Sequence, residues 1–470
     1  GTPTRAATFS TKVTVNDGRD GTQSVTFNWQ IVGPINIQAI TTSAKQVNTL
    51  VTYNAVVSGG SNLRYQWNFG DGTATTPLTT ESSVSHPFTT AGTPVVTLMV
   101  TGGDGTSEEY QFVQPIHNSL TTNKPSTSMS IAYETHSDND RVWNVNPDNN
   151  SVTVFDTVMN AKLAEINVGE APHALAIAPD GRIWVSNKSS STISVIDSES
   201  FSVVQTIDLS RASQPHGIVF SPTGSYAYIA LEARGEVLKL HPTSGAQISS
   251  VVAGDKVRHL SINADGTQLY ASRFISPPVP GEETANPQTT VDGVNYGGEI
   301  ASIDVTSMTV ANKIILQHSD RSDAEHSGRG IPNYLGPLVI SPDGLSGWVP
   351  SKQDNIKRGM LRDGNPLTHD STVRSVSSRV DLSTGAEDYP ARIDHDNGGT
   401  ASSAAYGPFG LYLYVALEGS REIAVLHAMD KSELTRITVG RAPQGVAVSA
   451  DGNKLYTHNF MDRSISVHDL

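Results

Sequence analysis

Residues 171–181 read Ala-Pro-His-Ala-Leu-Ala-Ile-Ala-Pro-Asp-Gly, and residues 214–224 read Gln-Pro-His-Gly-Ile-Val-Phe-Ser-Pro-Thr-Gly. Each copy is a short apolar run that follows Pro-His and ends in a turn with glycine. The two closing glycines, Gly181 and Gly224, lie 43 residues apart. Repetition with a period near 40 residues is typical of solenoids and propellers, so it decides the fold.

The same sequence pattern recurs along the rest of the chain, at residues 257–266, 336–344, 401–410 and 442–452. In most units a second apolar run follows the turn, a third ends in aspartate, as in residues 192–197, and a fourth alternates β-branched residues, as in residues 201–207. Four short antiparallel strands in about 40 residues make one propeller blade. With an earlier unit that begins at residues 127–133, the sequence predicts seven blades over residues 126–470.

These three-part units resemble the YVTN-type β-propeller repeat, whose pattern is P-x-G-[IV]-A-[IV]-[ST]-P-D-G followed by L-Y-V and V-S-V-I-D. The resemblance covers residues 126–470. The last unit stops one strand short at Leu470. Residues 116–125 are therefore interpreted either as a linker or as a strand that closes the last blade.

Two further modules precede the propeller. Residues 1–33 alternate as a strand pair and resemble the closing half of a bacterial cadherin-like immunoglobulin module. Residues 34–115 contain Trp-Asn-Phe-Gly-Asp-Gly-Thr at 67–73 and His-Pro-Phe-Thr-Thr-Ala-Gly at 86–92, which resemble the signature of the PKD domain. The resemblance implies a β-sandwich that serves as an extracellular spacer, with carbohydrate binding by exposed aromatic residues as the alternative. The predicted fold class is all-β: immunoglobulin-like strands, a PKD sandwich and a seven-bladed propeller.

Three insertions interrupt the repeat, near residues 276–298, 318–330 and 353–372. Long loops in a regular array are usually functional. Because the first strand of a blade begins, and the second ends, at the same rim, all three insertions are expected on one face. That face is the predicted binding face.

Residues at that rim near the axis are the candidate ligand-binding residues: Lys188, Glu232, Arg273, Lys352, Glu418, Gln444 and His458. Three histidines after the strand starts, His173, His216 and His259, could converge on the channel and bind a transition metal. The alternative is that these histidines are structural and hydrogen-bond to their neighbours. Acidic loops such as Asp394, Asp396 and Asn397 are candidates for calcium, with solvated loops as the alternative.

Composition narrows the function classes. The chain has 470 residues, a formal net charge of −14 and no cysteine. The acidity argues against nucleic acid as a partner. Without cysteine this chain forms no disulfide and attaches no haem through Cys-x-x-Cys-His. No apolar run is long enough for a transmembrane segment. The Gly1 start indicates a processed or excised part of a longer protein.

Blades five and six, including residues 329–338 and 392–397, resemble large secreted bacterial proteins in which a propeller precedes a di-haem cytochrome c peroxidase-type domain. The resemblance implies that this chain is the non-haem part of such a protein. No catalytic motif is visible, so enzymatic activity stays open.

We therefore predict a secreted or cell-surface bacterial protein whose propeller binds a protein partner or ligand at the insertion-bearing face. One alternative is a metal-dependent or redox enzyme, or an accessory part of a di-haem peroxidase-type enzyme, with a histidine-lined channel. Another is a structural subunit of a surface layer or filament that self-assembles through the N-terminal half-module.

Overall fold

The computed structural model describes residues 6–396 and 398–470, without the side chains of His369 and Asp370. The chain divides after Ser119 into two compact units. The described elements are β-strands, one short α-helix at His369–Thr372 (α1) and two single 3₁₀ turns. The predicted all-β fold class is confirmed.

A two-stranded ribbon lies at the start of the first unit, Ala7–Asn16 (β1) and Thr22–Ile31 (β2). Its register pairs Phe9 with Trp29 and Val13 with Val25, so the apolar side chains share one face. Among the described strands, β1 and β2 pair only with each other. The ribbon therefore leaves an apolar face and two strand edges without a partner sheet.

Small sheets build the rest of this unit. Their strands are Asn36–Ile37 (β3), Lys45–Gln46 (β4), Leu50–Asn54 (β5), Val57–Ser58 (β6), Arg64–Asn68 (β7), Ser83–Pro87 (β8), Val95–Thr101 (β9), Ser107–Val113 (β10) and Ile116–His117 (β11). Strand β9 lies between β7 and β10, while β5 pairs with β8. Trp67 and Phe69 are buried in the core as expected. No aromatic side chain of residues 34–115 is exposed, so this module offers no exposed ring to a sugar.

The second unit contains seven blades. The first four are Ile131–Glu134 (β13), Arg141–Asn146 (β14), Ser151–Asp156 (β15) and Ala161–Asn167 (β16); Pro172–Ile177 (β17), Ile183–Asn187 (β18), Thr192–Asp197 (β19) and Ser202–Asp208 (β20); Pro215–Phe220 (β21), Ala227–Leu231 (β22), Glu236–Leu240 (β23) and Gln247–Val252 (β24); Val257–Ile262 (β25), Gln268–Arg273 (β26), Gly297–Asp304 (β29) and Thr309–Gln317 (β30). A hairpin, Thr290–Val291 (β27) and Val294–Asn295 (β28), lies within the fourth blade.

The last three blades complete the ring. They are Ile331–Asn333 (β31), Val339–Ile340 (β32), Ser346–Asp354 (β33), Val373–Asp381 (β34), Ala386–Glu387 (β35) and Ile393–Asp394 (β36); Ala401–Tyr406 (β37), Tyr412–Leu417 (β38), Glu422–His427 (β39) and Ser432–Thr438 (β40); Pro443–Val448 (β41), Lys454–Asn459 (β42) and Ser464–Asp469 (β43). Each innermost strand packs on the next, and β41 returns to β13, so the ring is closed. Apolar clusters of adjacent blades fill the space between them.

The chain enters the ring through its central channel. Ser126–Thr127 (β12) pairs antiparallel with Ser261–Ile262 of the fourth blade. The next residues contact other blades: Leu175 N–H donates to the Met129 carbonyl at 2.9 Å, and Ser130 Oγ donates to the Gln444 carbonyl at 3.3 Å. Residues 126–130, which we call the channel segment, therefore block the channel. The innermost strand of the first blade begins at Ile131, not at residue 127 as the sequence suggested.

The seventh blade has three strands in the described residues. The interpretation of residues 116–125 as its closing strand is wrong. Ile116–His117 pairs parallel with Lys45–Gln46, and no strand is assigned at residues 118–125. The physical reason lies in the channel segment, because the chain that leads into the propeller forms its hydrogen bonds along the axis instead of at the outer edge.

The insertions are bound to one another. Lys357 Nζ lies 3.1 Å from Asp320 Oδ1, and Arg358 forms an ion pair with Asp323. Arg362 donates to the Glu282 carbonyl at 2.9 Å. These contacts join all three insertions on one face, which we call the insertion face.

Candidate functional site

An axial cavity of about 400 Å³ opens between the innermost strands. Its floor is Ser128, Met129 and Ser130 of the channel segment. The wall is built from the residues that begin the innermost strands and from those that end the second strands. The lining includes His173, Lys188, His216, Arg258, His259, Phe274, Tyr334, Gly336, Pro337, Thr400, Ser402, Ser403, Glu418 and Gln444.

Local backbone geometry brings these side chains to the axis. Pro172 pairs with Asn187 and Ala174 with Ser186, so His173 is an extra residue in a β-bulge. A bulge re-aims the side chain that it inserts. The residue before the proline has a positive φ in three blades, 51° at Ala171, 54° at Gln214 and 52° at Ala442. Such strain in non-glycine residues is typical of functional sites.

Six of the ten predicted site residues line this cavity. They are His173, Lys188, His216, His259, Glu418 and Gln444. Glu232 is buried behind the wall and pairs with two cavity cations. Arg273 and Lys352 instead face carboxylates of their own blades, Glu299 at 3.4 Å and Asp354 at 3.0 Å.

His458 lies at a different place. It borders a cavity of about 280 Å³ with Asn146, Glu165 and Phe460, and its Nδ1 is 3.1 Å from Ser130 Oγ. Burial lowers the pKa of His458 to about 4. His458 therefore supports the channel segment from behind as an uncharged imidazole.

The three candidate metal ligands lie in a row. The ring centroids of His173 and His216 are 5.0 Å apart, as are those of His216 and His259. Among the described residues, Nδ1 of His216 is buried without a hydrogen-bond partner. The interpretation of these histidines as structural residues stays an alternative, since the His216 carbonyl accepts a hydrogen bond from Ser186 Oγ of the preceding blade.

All three imidazoles are held neutral. Burial, then the charges of Lys188 and Arg258, lowers the pKa of His173 to about 4. Burial and Arg258 lower that of His259 to about 3. Burial and the other two histidines hold the pKa of His216 well below its ordinary value. Neutral imidazoles could ligate a metal, but the described residues contain no group of three or more metal-ligating side chains in a suitable arrangement.

The strand register corrects the sequence alignment of these histidines. In the fourth blade Val257 pairs with Arg273 and His259 with Ser272. The bulge residue equivalent to His173 is therefore Arg258, and His259 lies one residue further along the strand. From the sequence, His259 aligns with His173 and His216 because all three are histidines. That alignment misses Arg258, the residue directly before His259, which takes the equivalent position.

Two cations share one carboxylate at the wall. Lys188 Nζ lies 2.7 Å, and Arg258 Nε 2.9 Å, from the same oxygen of Glu232, whose side chain is 5% exposed. Burial raises the pKa of Glu232, but hydrogen bonds and charges of Arg258 and Lys188 outweigh it and lower the pKa overall. The carboxylate is ionised at neutral pH, and the cluster carries one net positive charge.

An aromatic stack fixes the position of Arg258. Its guanidinium lies 3.4 Å from the centre of the Phe274 ring, which stacks on Tyr334 at 4.6 Å. Lys352 Nζ lies 4.0 Å from the centre of the Tyr334 ring. Residues 274 and 334 belong to chain segments beside the insertions, and nothing in the repeat pattern indicated that they would meet.

The opposite wall is polar and carries one carboxyl group. Ser402 and Gln444 are hydrogen-bonded to Glu418, while burial raises its pKa above the ordinary value. Ser402 Oγ also lies 3.0 Å from the Pro443 carbonyl. This wall therefore presents hydroxyl, amide and carboxyl groups to the cavity.

The candidate calcium loop is neutralised by arginine. Asp394 forms an ion pair with Arg374, and Asp396 lies 3.7 Å from the same guanidinium. Asn397 lies outside the described residues. Since a cationic side chain already faces these carboxylates, the loop is not arranged for a calcium ion.

Comparisons with known proteins agree with the modules seen in the structure. Residues 36–114 match the family model of the PKD domain. The fold is similar to hydrazine synthase of Kuenenia stuttgartiensis, with a TM-score of 0.57 and 19% identity over 75% of this chain and 96% of that chain. At this identity the likeness describes the fold alone. No curated protein matches the sequence.

The protein therefore combines a PKD domain, a type common in extracellular proteins, with a propeller. Among the residues that the structure describes, no helix has the length and apolarity needed to cross a membrane. The chain is a multidomain all-β protein, and residues 36–114 are its PKD domain.

Proposed function

We propose that this chain belongs to a secreted or cell-surface bacterial protein whose propeller binds a small ligand, or a side chain of a protein partner, in the axial cavity. The PKD domain supports an extracellular location. Phe274 and Tyr334, next to two of the insertions in the sequence, line the cavity, so the insertions would frame the bound molecule. The YVTN-type repeat supplies the scaffold.

One observation carries the proposal. His173, His216 and His259 lie in the cavity wall, and Nδ1 of His216 is buried there without a hydrogen-bond partner among the described residues. A buried polar group without a partner costs about 1–3 kcal/mol. A ligand that meets this nitrogen recovers that cost on binding, whereas a purely structural channel gains nothing from it.

The alternative function, a metal-dependent or redox enzyme, would use the same three histidines. The described residues lack a ligand group of three or more, and no motif adds a catalytic residue. The role as an accessory part of a di-haem peroxidase-type enzyme likewise stays a prediction from resemblance. Ligand binding requires only the cavity and the side chains that line it, so we prefer this function to an enzymatic one.

A bulky side chain at the cavity mouth tests the proposal. Thr400 lines the cavity, while Thr435 is exposed on the outer strand β40. We would screen a fragment library by saturation-transfer NMR on the full chain, comparing Thr400→Trp with Thr435→Trp. Fragments that bind wild type and Thr435→Trp but not Thr400→Trp support the proposal. Binding that survives Thr400→Trp, or an absence of hits, contradicts it.

The N-terminal ribbon favours a second candidate, self-assembly. Val13, Val25, Phe27 and Trp29 are 44–64% exposed on one face. A two-stranded ribbon is marginally stable alone, and a second copy could cover this face. Sedimentation velocity would test it. Wild type should associate and Phe27→Glu should not, whereas a concentration-independent monomer contradicts self-assembly.

A further inference from the structure

We propose that the axial cavity recognises a small hydroxylated carboxylate, with its carboxylate group on Lys188 and Arg258 and its hydroxyl groups on the wall of Ser402 and Gln444. The inference rests on the proposed function, because it names the class of ligand for the same cavity. It is carried by charge, by donor geometry and by the shape of the aromatic wall.

The positive charge at the cavity wall favours an anionic ligand. Lys188 and Arg258 share the single carboxylate of Glu232, which leaves one positive charge at the cavity wall. The whole chain carries −14, so this site opposes the overall charge. One surplus charge matches a monovalent carboxylate better than a divalent phosphate. On the opposite wall, Glu418 is engaged by Ser402 and Gln444.

The hydrogen-bond donors of the cavity wall also favour a carboxylate ligand. Arg258 contacts Glu232 through Nε, so the two terminal nitrogens of its guanidinium are left. Among the described residues, no partner is found for these nitrogens. The paired terminal N–H groups match a carboxylate in a bidentate arrangement. His173, His216 and His259 each add one N–H donor as neutral imidazoles.

The aromatic wall limits the ligand further. Arg258 lies over the Phe274 ring, Tyr334 stacks on the same ring, and Lys352 lies over the Tyr334 ring. These groups occupy ring faces on which a sugar ring would otherwise stack. Recognition must therefore come from polar contacts, and the stack serves to hold Arg258 in place.

The volume of the axial cavity limits the size of the ligand. A space of about 400 Å³ lies at the lower end of the range for small-molecule sites. The floor of Ser128, Met129 and Ser130 limits the depth of the cavity. A hydroxy acid or a sugar acid satisfies charge, polarity and size together.

Isothermal titration calorimetry on the full chain tests the class of ligand. The probes are D-glucuronate, D-gluconate and L-lactate, with D-glucose as the neutral counterpart and inorganic phosphate as the competing anion. We expect at least one carboxylate to bind, and to bind more tightly than glucose and phosphate. Equal binding of glucose, tighter binding of phosphate, or no binding of any carboxylate overturns the proposal.

A matched pair of variants locates the binding. Lys188 and Lys313 are each ion-paired with a buried carboxylate, Glu232 and Glu299, but only Lys188 lines the cavity. Loss of one charge-assisted contact should weaken carboxylate binding about tenfold or more in Lys188→Met, with Lys313→Met close to wild type. Equal effects would overturn the assignment. If neutral fragments still bind and Thr400→Trp blocks them, the ligand class fails while the proposed function stands.

Discussion

Gly445 approaches the channel segment so closely that a Cβ atom there would lie 2.2 Å from Ser130 Oγ. The same relationship exists on the other side of the channel, where a Cβ on Gly217 would lie 2.9 Å from Ser128 Oγ. The glycine that follows the rim residue in these two blades therefore leaves room for the chain that blocks the channel.

Gly445→Ala should destabilise the propeller by about 1–3 kcal/mol, because the added methyl group overpacks a filled channel. Differential scanning calorimetry would measure the loss. Gly407→Ala is the control, since its Cβ would lie 3.7 Å or more from its neighbours in an ordinary backbone conformation. If both variants unfold at the wild-type temperature, the channel segment is not packed as described.

The cavity histidines should make stability depend on pH. Burial and the nearby cations lower the pKa of His173 to about 4 and that of His259 to about 3 in the folded protein. The unfolded chain binds protons near pH 6.5, so the folded state loses stability as the pH falls from 7 towards 4. Each histidine should contribute about 1–2 kcal/mol of loss between pH 7 and 5.

The double variant His173→Gln with His259→Gln should flatten this dependence, measured by urea unfolding at pH 7 and pH 5. His326, which is 71% exposed, supplies the control His326→Gln. The groups that face the two histidines are Lys188, Arg258, Glu232 and His216. A wild-type slope in the double variant would mean that folding does not lower the pKa of these two imidazoles.

Carboxylate affinity should be constant between pH 6 and 8. The charges that attract the ligand come from Lys188 and Arg258, while the three imidazoles stay neutral and Glu232 stays ionised in this range. Added salt should weaken binding, because ions screen partly exposed charges. Calorimetric titration with D-glucuronate at several pH values is the measurement. Tighter binding at pH 6 than at pH 8 that persists in the variant Glu418→Gln would contradict neutral histidines.

Phe274→Leu should reduce carboxylate affinity with little effect on stability. The ring positions Arg258 at 3.4 Å and does not itself offer a face to the ligand. A loosened guanidinium should lose about tenfold in affinity, in line with one weakened charged hydrogen bond. Phe460→Leu, beside the second cavity, is the control. An unchanged affinity would show that Arg258 is held by Glu232 alone.

The propeller could be predicted from the sequence because six of the seven blades repeat a strand pattern and a turn that ends in glycine. Trp67 and Phe69 likewise reach the core where the PKD signature puts them. Local patterns of this kind report which residues face inward and where a chain turns.

The site could be predicted only in part. Lys188, Glu418 and Gln444 follow from strand ends, but the register of Arg258 depends on a bulge that alters the alignment by one residue. Phe274, Tyr334 and the channel segment come together from distant parts of the chain. They come into contact through tertiary packing, which the repeat pattern of the sequence does not predict.

Methionine methyl NMR tests the central claim most directly, because Met129 forms the floor of the axial cavity. The chain has seven methionines, so the spectrum is simple, and Met129→Leu assigns the signal. Titration with the carboxylate that binds best should shift the Met129 resonance and leave exposed Met461 unchanged. Binding without a shift of Met129, or with a shift at Met461 alone, would contradict a ligand site in the axial cavity.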